Sequence, residues 1–386
     1  MISLISKMYI KESDSIAEKR NKYGVICSVV GIFLNILLTI IKIVLGVLFN
    51  YISMIADGVN NLSDAGSSIV SMIGFKLSKK KPDREHPYGH GRIEYVAGFV
   101  VSMIIFLMGF ELLKESVIKL SSPVDSSSLN YIVYIMLCFS IAVKLYMFMY
   151  NMRVGKKINS DVLKAVAIDS ISDCFATFTV ILSAALSTQT NINLDAISGI
   201  IVSLFIICAG FSTSKEVIGN LIGKSVDKEF KDRVKEIVLE EKAVLGVHDI
   251  LVHEYGPSSY IVSLHAEVKE EEELVTIHNV IDKIERKLKK ELGCIATIHI
   301  DPVNLDDEEQ IELYSYISEI VKNKIDKDAS IHDLRIIESD ENKSLCFDIS
   351  VSYDVKMQDE EVKNIALDIL NSTLDNYVFD IDVDRY

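Results

Sequence analysis

Carboxylate and amide side chains interrupt two otherwise apolar segments of this chain. In the first segment Asn60 and Asp64 stand four residues apart, and in the second Asp169 and Asp173 do the same. Residues at this spacing share one face of a helix, so each segment presents two oxygen donors on one side. If the two faces meet, three carboxylates and one amide converge, and a bound cation would offset the repulsion between the carboxylates. An all-oxygen donor set suits Mn²⁺ or Mg²⁺ better than Zn²⁺, which prefers nitrogen and sulfur ligands.

The competing interpretation of these residues is structural. Asn60 would then be an amide that packs helices together, and the aspartates would be protonated or hydrogen-bonded groups without an ion. An ionisable residue in an apolar segment costs free energy and by default indicates a function, and two matched pairs favour the ion site. Asp57, one turn before Asn60, fits a residue at the mouth of the site or a helix cap as well as it fits a ligand.

The segment KPDREHPYGHGRIEY, residues 81–95, offers a second set of donors. His86 and His90 are four residues apart, and Asp83 precedes His86 by three. Two imidazoles and a carboxylate at this spacing can hold one divalent ion, and the proline and glycine residues indicate an ordered turn. A charged loop with incidental histidines explains the spacing equally well.

Histidines also concentrate in the C-terminal half, where six of the eight follow residue 247. His265 and His299 fall on predicted strands and Asp301 directly follows one, so their side chains can meet that of His248 at one end of a sheet. Surface histidines on an acidic domain are the alternative. The candidate donors of this region are His248, His253, His265, His278, His299 and Asp301.

The elements that must position these groups fall into two halves of different composition. Apolar residues make up 49% of the 386 and the mean hydropathy is +0.28, although 25% of the residues are charged. Residues 1–217 carry 20 basic against 16 acidic side chains, whereas residues 218–386 carry 20 against 39. We therefore predict a membrane domain, residues 1–217, followed by a soluble and strongly acidic tail. The net charge of −15 argues against a nucleic-acid partner, since there is no basic stripe to release counterions.

Windows of about 20 apolar residues predict six helices that span a lipid bilayer. The second and the fifth window are weaker because polar residues interrupt them. The N-terminal residues mix basic and acidic side chains without a small-residue cleavage site, so we do not expect them to form a cleaved signal peptide. The six predicted spans are Val25–Phe49, Ile52–Leu77, Ile93–Leu113, Tyr131–Tyr150, Val162–Leu186 and Ile192–Phe211.

Loop charges predict the orientation of these spans. Basic residues concentrate between spans two and three, as at Lys79–Lys81, and between spans four and five, as at Lys156–Lys157. The turn Asn50–Tyr51 and the loop Thr188–Asn193 carry no basic residue. By the positive-inside rule both termini are cytoplasmic. We expect a multi-pass protein of the cell (plasma) membrane with a cytoplasmic tail.

The acidic tail contains an internal repeat. The segment VHDILVHEYGPSSYIVSLHAEV from Val247 resembles IHDLRIIESDENKSLCFDISVSYDV from Ile331. Each holds two runs of alternating apolar residues joined by a turn, which is the pattern of a strand pair, with a helical pattern before it and a helix and a strand after it. We predict two tandem α+β domains of ferredoxin-like type, residues 218–304 and 305–386.

The second repeat keeps only part of the donors of the first. His332 stands at the place of His248, whereas Ser352 aligns with His265 and Asp382 with His299. We therefore expect weak metal binding by the second repeat itself and a role in packing or in dimer contact.

Enzyme and thiolate chemistry are disfavoured. The six cysteines never form a C-x-x-C pair, so neither a disulfide framework nor a thiolate zinc site is indicated. The predicted spans offer no general base or nucleophile beyond the metal ligands, which argues against a membrane metallohydrolase and against an enzyme in general.

In its motifs the chain resembles the cation diffusion facilitator family. The segments ADGVNNLSDAGSSIVSMIGFKLS and DREHPYGHGRIEYVAG resemble the second span and following loop of that family, and AIDSISDCFAT resembles its fifth span. The resemblance covers about residues 20–303. It implies a six-span, homodimeric exporter of divalent transition metals that is driven by inward proton movement and carries a ferredoxin-like cytoplasmic domain.

The resemblance further implies three metal sites. Zinc branches of the family have a histidine in the transport site, whereas the Asn-Asp-Asp-Asp set of this chain resembles the bacterial manganese branch. The transport site maps to Asn60, Asp64, Asp169 and Asp173, the loop site to Asp83, His86 and His90, and the cytoplasmic site to His248, His265, His278, His299 and Asp301.

We therefore expect export of a divalent metal ion, Mn²⁺ above all, in exchange for protons. Fe²⁺, Co²⁺ or Zn²⁺ is the alternative cargo, because affinity rises toward the later metals at any given site. A membrane-anchored metal sensor is the alternative from a different class, with the tail reporting metal to a partner.

Overall fold

The computed structural model of the protein describes most of the chain in ten segments. The predicted turns Asn50–Tyr51 and Thr188–Asn193 lie outside the described residues, as do residues 305–306 at the predicted junction of the two repeats. The described segments are residues 9–11, 13–14, 16–48, 52–121, 131–186, 194–257, 259–304, 307–338, 343–374 and 376–385.

Within the described residues, six long helices make up the N-terminal part. Four of them contain stretches that are long and apolar enough to cross a membrane, namely Glu18–Leu48, Ile93–Leu120, Tyr131–Lys157 and Ala196–Ile222. The second and fifth helices hold the aspartates, and their passage through the bilayer stays a prediction. The six helices are α1 (Ile16–Leu48), α2 (Ile52–Ser78), α3 (Ile93–Leu120), α4 (Tyr131–Lys157), α5 (Asp161–Leu186) and α6 (Leu194–Ile222).

Several of these helices extend past the predicted apolar windows. Helix α3 ends at Leu120 rather than at Leu113, and α4 ends at Lys157 rather than at Tyr150. The difference has a simple cause. An apolar window measures the thickness of the hydrocarbon layer, whereas backbone hydrogen bonds continue the helix through the Glu and Lys residues beyond it, which are good helix formers.

The long helices pack in pairs, α1 along α2, α3 along α6 and α4 along α5. The α3–α6 pair depends on a close approach of the two backbones. A Cβ added to Gly210 would lie 2.9 Å from the backbone nitrogen of Phe106, so only glycine fits at this crossing. Small residues allow such contacts between helices in a membrane, where packing rather than water exclusion drives association.

The chain divides into two compact units, and the tail repeats belong to the second. The first unit comprises residues 1–225 and 254–260, and the second comprises residues 226–253 and 261–386. The elements of the tail follow the order α-β-β-α-β twice. They are α7 (Lys228–Leu239), β1 (Gly246–Glu254), β2 (Tyr260–Lys269), α8 (Leu274–Leu292), β3 (Ile295–Val303), then α9 (Glu308–Lys324), β4 (Ser330–Glu338), β5 (Lys343–Val351), α10 (Asp359–Thr373) and β6 (Tyr377–Arg385).

Each repeat forms its own three-stranded sheet, with the middle position taken by β2 in one and β5 in the other. Strand β5 is antiparallel to β4 and parallel to β6, and β2 is parallel to β3. The second repeat also has its own apolar core, in which Ile317, Ile331 and Phe347 are almost completely buried. The ferredoxin-like class of both repeats stays a prediction.

The strand register corrects one detail of the predicted alignment. Asp348, not Ser352, takes the place of His265, because Asp348 lies between the buried residues Phe347 and Ile349 and pairs with both His332 and Asp382. Ser352 lies beyond the end of β5. The predicted alignment matched the ends of the two segments, whereas the structure follows the alternation of buried and exposed residues along the strand.

Candidate metal sites

Three carboxylates meet between helices α2 and α5. One oxygen each of Asp64, Asp169 and Asp173 lies within 4.8 Å of the others. Asp64 is 2% exposed and Asp169 is 5% exposed, whereas Asp173 is partly buried. Asn60 lies one turn before Asp64 on α2 and is partly buried. Three of the four predicted donors therefore converge, and coordination by the amide of Asn60 stays a prediction.

A buried lysine joins this cluster. The Nζ of Lys144, on α4, donates to Asp64 Oδ2 at 2.6 Å and to Asp173 Oδ2 at 2.5 Å, and its side chain is 3% exposed. The other carboxylate oxygen of Asp64, Oδ1, has no hydrogen-bond partner among the described residues. Three carboxylates and one ammonium carry a net formal charge of −2, which matches one divalent cation.

Lys144 is absent from the predicted donor sets although the sequence contains a signal for it. It is the only charged residue in the predicted span Tyr131–Tyr150. The principle that a charged residue in a span indicates a function applies to a base as much as to an acid. What the sequence alone cannot give is its partner, because Lys144 and the two aspartates are distant along the chain.

A second buried lysine accounts for Asp57. The Nζ of Lys42, on α1, lies 2.7 Å from Asp57 Oδ2, and the lysine side chain is 3% exposed. The sequence leaves Asp57 open between a ligand and a residue at the mouth of the site. In the structure it forms an ion pair with Lys42 and is not part of the three-carboxylate cluster.

The loop between α2 and α3 brings Asp83, His86 and His90 together. Asp83 Oδ1 lies 3.5 Å from His86 Nδ1, Asp83 Oδ2 lies 3.5 Å from His90 Nε2, and the two imidazole centroids are 4.5 Å apart. The turn depends on Gly89, whose φ of +89° is strained for other residues. His90 is buried, and its Nδ1 has no hydrogen-bond partner among the described residues.

Asp83 is held in its ionised form. A hydrogen bond from Lys80, and then one from the backbone N–H of His86, lower the pKa of Asp83 well below its usual range. A permanently ionised carboxylate beside two imidazoles is a suitable ligand set for a divalent transition metal. Lys80 already donates to Asp83 Oδ2, so an ion at this site has to share Asp83 with that ammonium.

In the tail, Asp301 lies at the centre of a histidine cluster. Asp301 Oδ2 is 3.0 Å from His265 Nδ1 and 3.2 Å from His248 Nε2, and Asp301 Oδ1 is 3.3 Å from His299 Nε2. These are four of the five donors that the family resemblance implies. The fifth, His278, lies on the exposed surface of α8 and is not part of the described cluster, so its role as a ligand stays a prediction.

The charges of this cluster favour cation binding. Burial by itself would raise the pKa of Asp301, but hydrogen bonds and positive charge from His248 and His265 lower it. Burial likewise would lower the pKa of His248, but Asp249 and Asp301 outweigh it and raise that pKa to about 10. The His248 imidazole thus binds a proton tightly at the position where a metal ion would be held.

A residue of the second repeat lies against this cluster. The ring of His332 stacks on that of His248 with centroids 4.5 Å apart and an interplanar angle of 9°. Burial and the charge of His248 lower the pKa of His332 to about 4. His332 therefore stays neutral at physiological pH, with a nitrogen lone pair available.

Comparisons with known proteins identify the family of this chain. The family model described as the cation efflux transmembrane domain matches residues 28–222, and that of the cation efflux protein cytoplasmic domain matches residues 226–303. The second repeat lies outside both matched ranges.

Three similar proteins are informative. An uncharacterised transporter of Methanocaldococcus jannaschii is 35% identical over 280 residues, which cover 72% of this chain and 97% of that protein. The manganese efflux system protein MneS of Bacillus subtilis is 26% identical, with 73% of this chain and 97% of that protein covered. The cation-efflux pump FieF of Shewanella oneidensis is 26% identical, with 66% and 86% covered.

Proposed function

The chain belongs to the cation efflux family, and from this premise we propose that it exports Mn²⁺ in exchange for protons. Efflux of a metal cation is the activity of the family. The choice of Mn²⁺ is supported by the cluster of Asp64, Asp169 and Asp173, whose donors are all oxygen atoms. Hard, oxygen-binding ions fit such a set, whereas Zn²⁺ and the later metals favour imidazole or thiolate. The similarity to a manganese efflux protein points the same way.

Lys144 gives the proposed site its charge balance. With the lysine in place the cluster has a net formal charge of −2, so one divalent ion makes it neutral without a retained proton. When the ion leaves, the Lys144 ammonium can bond the carboxylate oxygens that the ion releases. Protons can then neutralise the remaining negative charge of the carboxylates. A charge left uncompensated in a buried site would cost several kcal/mol, so this exchange lowers the barrier to release.

The transport cycle that we propose has two orientations of one site. The ion binds from the cytoplasm near the middle of the membrane, movement of the spans opens the site to the other side, and protonation of the carboxylates releases the ion. The proposal includes six spans, cytoplasmic termini, residence in the plasma membrane and a homodimer. Asp83, His86 and His90 would hold a further ion in the loop, and His248, His265, His299 and Asp301 would hold one in the tail.

Reconstituted vesicles with an internal pH probe test this function. The purified protein is inserted into vesicles, Mn²⁺, Fe²⁺, Co²⁺ or Zn²⁺ is added in turn, and metal content and internal pH are followed together. We expect fastest metal uptake with Mn²⁺, accompanied by proton movement in the opposite direction. Faster Zn²⁺ than Mn²⁺ transport would overturn the cargo assignment. Metal flux with no pH change would overturn the proton coupling, and metal binding by the tail with no flux of any ion would indicate a sensor.

A further inference from the structure

Helix α1 carries a buried asparagine, Asn35, whose side-chain oxygen is unsatisfied. The residue is 1% exposed, and its Oδ1 has no hydrogen-bond partner among the described residues. A buried acceptor without a partner costs free energy, and the hydrocarbon layer of a membrane offers no water to replace that partner. The position of this oxygen in the bundle therefore indicates what it binds.

Two contacts fix the register of α1 against α2. The hydroxyls of Ser28 and Ser71 lie 2.9 Å apart. Lys42 Nζ lies 2.7 Å from Asp57 Oδ2. From the first contact to the second, the chain advances by 14 residues on α1 and goes back by 14 residues on α2. The two helices therefore run antiparallel, and their register stays constant between the two contacts.

Asn35 and Asp64 lie at the midpoint of this stretch. Each is seven residues from the contact residues of its own helix on both sides, which is two helical turns, so each lies on the contact face. A nearer contact has the same register, because a Cβ added to Gly31 would lie 2.9 Å from Ser68 Oγ. Asp64 Oδ1 also has no hydrogen-bond partner among the described residues. Two unsatisfied buried oxygens are thus at one level of two facing helices.

Helix α4 brings an ammonium to the same level. Lys157 Nζ lies 3.0 Å from the hydroxyl of Tyr23. The hydroxyl of Tyr150 donates to the carbonyl oxygen of Cys27 at 3.4 Å. Helix α4 is therefore antiparallel to α1, and Lys144, six residues before Tyr150, comes at about the level of the buried asparagine. Its ammonium already bonds two carboxylates of the cluster, so asparagine, ammonium and carboxylates share one layer of the bundle.

We propose that Asn35 is a further ligand of the transported ion and binds it through Oδ1. This inference rests on the proposed export of Mn²⁺ through the carboxylate cluster, to which it adds an oxygen donor from α1. Lys144 holds Oδ2 of Asp64, which leaves Oδ1 of Asp64 for the ion. A cation between that oxygen and the asparagine satisfies both unpartnered acceptors at once.

A donor from α1 also bears on metal selectivity. Mn²⁺ favours six oxygen ligands in an octahedral arrangement, whereas Zn²⁺ favours four ligands with nitrogen or sulfur among them. The three carboxylates with the amides of Asn35 and Asn60 offer five oxygen donors, and one water molecule completes six. Removal of Asn35 brings the set closer to the four ligands that suit Zn²⁺. Asn35 therefore favours Mn²⁺ over Zn²⁺.

Substitutions that separate ligation from packing test the role of Asn35. Asn35→Leu keeps the bulk but has no donor, whereas Asn35→Asp keeps an oxygen donor but introduces a charge. Mn²⁺ affinity is measured in detergent, with tail binding taken from Asp64→Ala, and Mn²⁺ and Zn²⁺ flux are measured in competition in vesicles. We expect Asn35→Leu to bind Mn²⁺ about tenfold more weakly, the lower end of the cost of disturbing a ligand set, and to lower the Mn²⁺/Zn²⁺ flux ratio severalfold. Asn35→Asp should bind Mn²⁺ at least as tightly as wild type.

A packing role for Asn35 predicts the opposite order, because a buried leucine costs less than a buried carboxylate. Wild-type affinity and flux ratio in Asn35→Leu, or equal losses in Asn35→Leu and Asn35→Asp, would overturn the proposal. Asn35→Ala is the second donor-free variant and should repeat the result of Asn35→Leu.

Ser28→Ala is the matched control. Ser28 lies on the same face of α1, two turns away, and its hydroxyl bonds that of Ser71, so the variant should stay within about twofold of wild type in Mn²⁺ affinity and in flux ratio. A wild-type protein that transports no Mn²⁺ would overturn the proposed function. Normal Mn²⁺ transport by wild type and Asn35→Leu alike would overturn only the role of Asn35, so the two failures are distinguishable.

Discussion

The carboxylate cluster between the long helices and the histidine cluster of the tail offer opposite kinds of ligand to a divalent ion. Asp64, Asp169 and Asp173 supply oxygen only, and the positive charge among them comes from Lys144. In the tail, imidazole nitrogens surround the single carboxylate of Asp301. Oxygen ligands hold Mn²⁺ without special affinity, whereas imidazoles favour the later metals.

The two clusters also differ in their access to water. Asp64 is 2% exposed, while the side chain of His299 in the tail is 68% exposed. A transported ion has to enter and leave a site that is closed to one side at a time, whereas a regulatory ion has to equilibrate with the surrounding solution. Donor type and burial together therefore distinguish the proposed cargo site from the proposed site for a resident ion.

The largest effect is expected from Asp64→Ala or Asp173→Ala. Each change removes a carboxylate ligand without adding bulk. Even the loss of an outer partner of a metal ligand commonly costs about 10–100-fold, so we expect Mn²⁺ flux in vesicles to fall by at least about 100-fold. Metal binding by the tail should not change.

A buried hydroxyl on the same helix supplies the control. Ser71 bonds the hydroxyl of Ser28 at 2.9 Å and is not part of the cluster, so Ser71→Ala should transport within about twofold of wild type, as expected of a change that removes a single hydrogen bond worth about 1 kcal/mol. Each aspartate variant is also compared with wild type by size-exclusion chromatography. Near-normal flux in a variant with the wild-type elution volume would show that the three-carboxylate cluster does not bind the transported ion.

Lys144→Met should separate binding from turnover. Methionine has nearly the length of lysine but lacks the ammonium. In the proposed cycle this ammonium repels the bound Mn²⁺ and bonds the carboxylates after the ion has left. Two unit charges about 4 Å apart interact by about 4 kcal/mol at an effective dielectric constant of about 20. A change of about 1.4 kcal/mol in the activation free energy already changes a rate tenfold. We expect Mn²⁺ binding at least as tight as in wild type and maximal flux lower by about tenfold.

The measurements are equilibrium binding in detergent and maximal flux in vesicles on the same preparation. Lys144→Arg, which keeps the charge, should recover part of the flux. Weaker binding combined with unchanged maximal flux would contradict the exchange of ammonium for metal and assign Lys144 a structural role.

Asn60→His should shift the metal selectivity of the membrane site toward Zn²⁺, because it introduces an imidazole donor like those of the tail cluster. An imidazole is a better donor to Zn²⁺ than an amide oxygen, whereas Mn²⁺ gains less from nitrogen. We expect the ratio of Mn²⁺ to Zn²⁺ flux to fall severalfold, measured with both ions present in competition. Asn60→Asp, which retains an oxygen donor, should keep the preference for Mn²⁺. An unchanged ratio in the histidine variant would mean that Asn60 does not contact the ion.

The smallest effect on transport is expected from Asp301→Asn. The amide keeps the shape of the central carboxylate but removes its charge, so metal affinity of the tail should fall by about 10–100-fold. Maximal flux should stay within about twofold of wild type, because none of the proposed transport ligands lies in the tail. If flux fell as far as in the Asp64→Ala variant, the tail cluster would be required for transport, and the proposed division of roles between the two clusters would be wrong.

Local spacing predicts the groups that one element or one turn brings together. The separation of four residues is enough to expect Asp169 and Asp173 on one helix face, and the short segment from Asp83 to His90 is enough to expect a compact loop site. In the tail, the alternation of apolar residues predicts which side of each strand faces the core. These signals work because the backbone geometry of helices and strands fixes them.

Contacts between distant elements could not be predicted in this way. The ion pair of Lys42 with Asp57 and that of Arg20 with Glu94 both join different helices, and a single sequence contains no information on which charges meet. The pairing of Asp348 with His332 depends on strand register. A shift of one residue in that register would turn every side chain of the strand to the opposite face of the sheet. For the same reason the stack of His248 on His332 is visible only in the structure.

The duplication of the tail domain within one polypeptide has a consequence for assembly. Only residues 304–307 separate β3 of the first repeat from α9 of the second. Partners tethered by so short a linker encounter each other at an effective concentration on the order of millimolar or above, whatever the number of copies in the cell. Each newly made chain thus brings its own partner for His248, and the contact follows first-order rather than second-order kinetics.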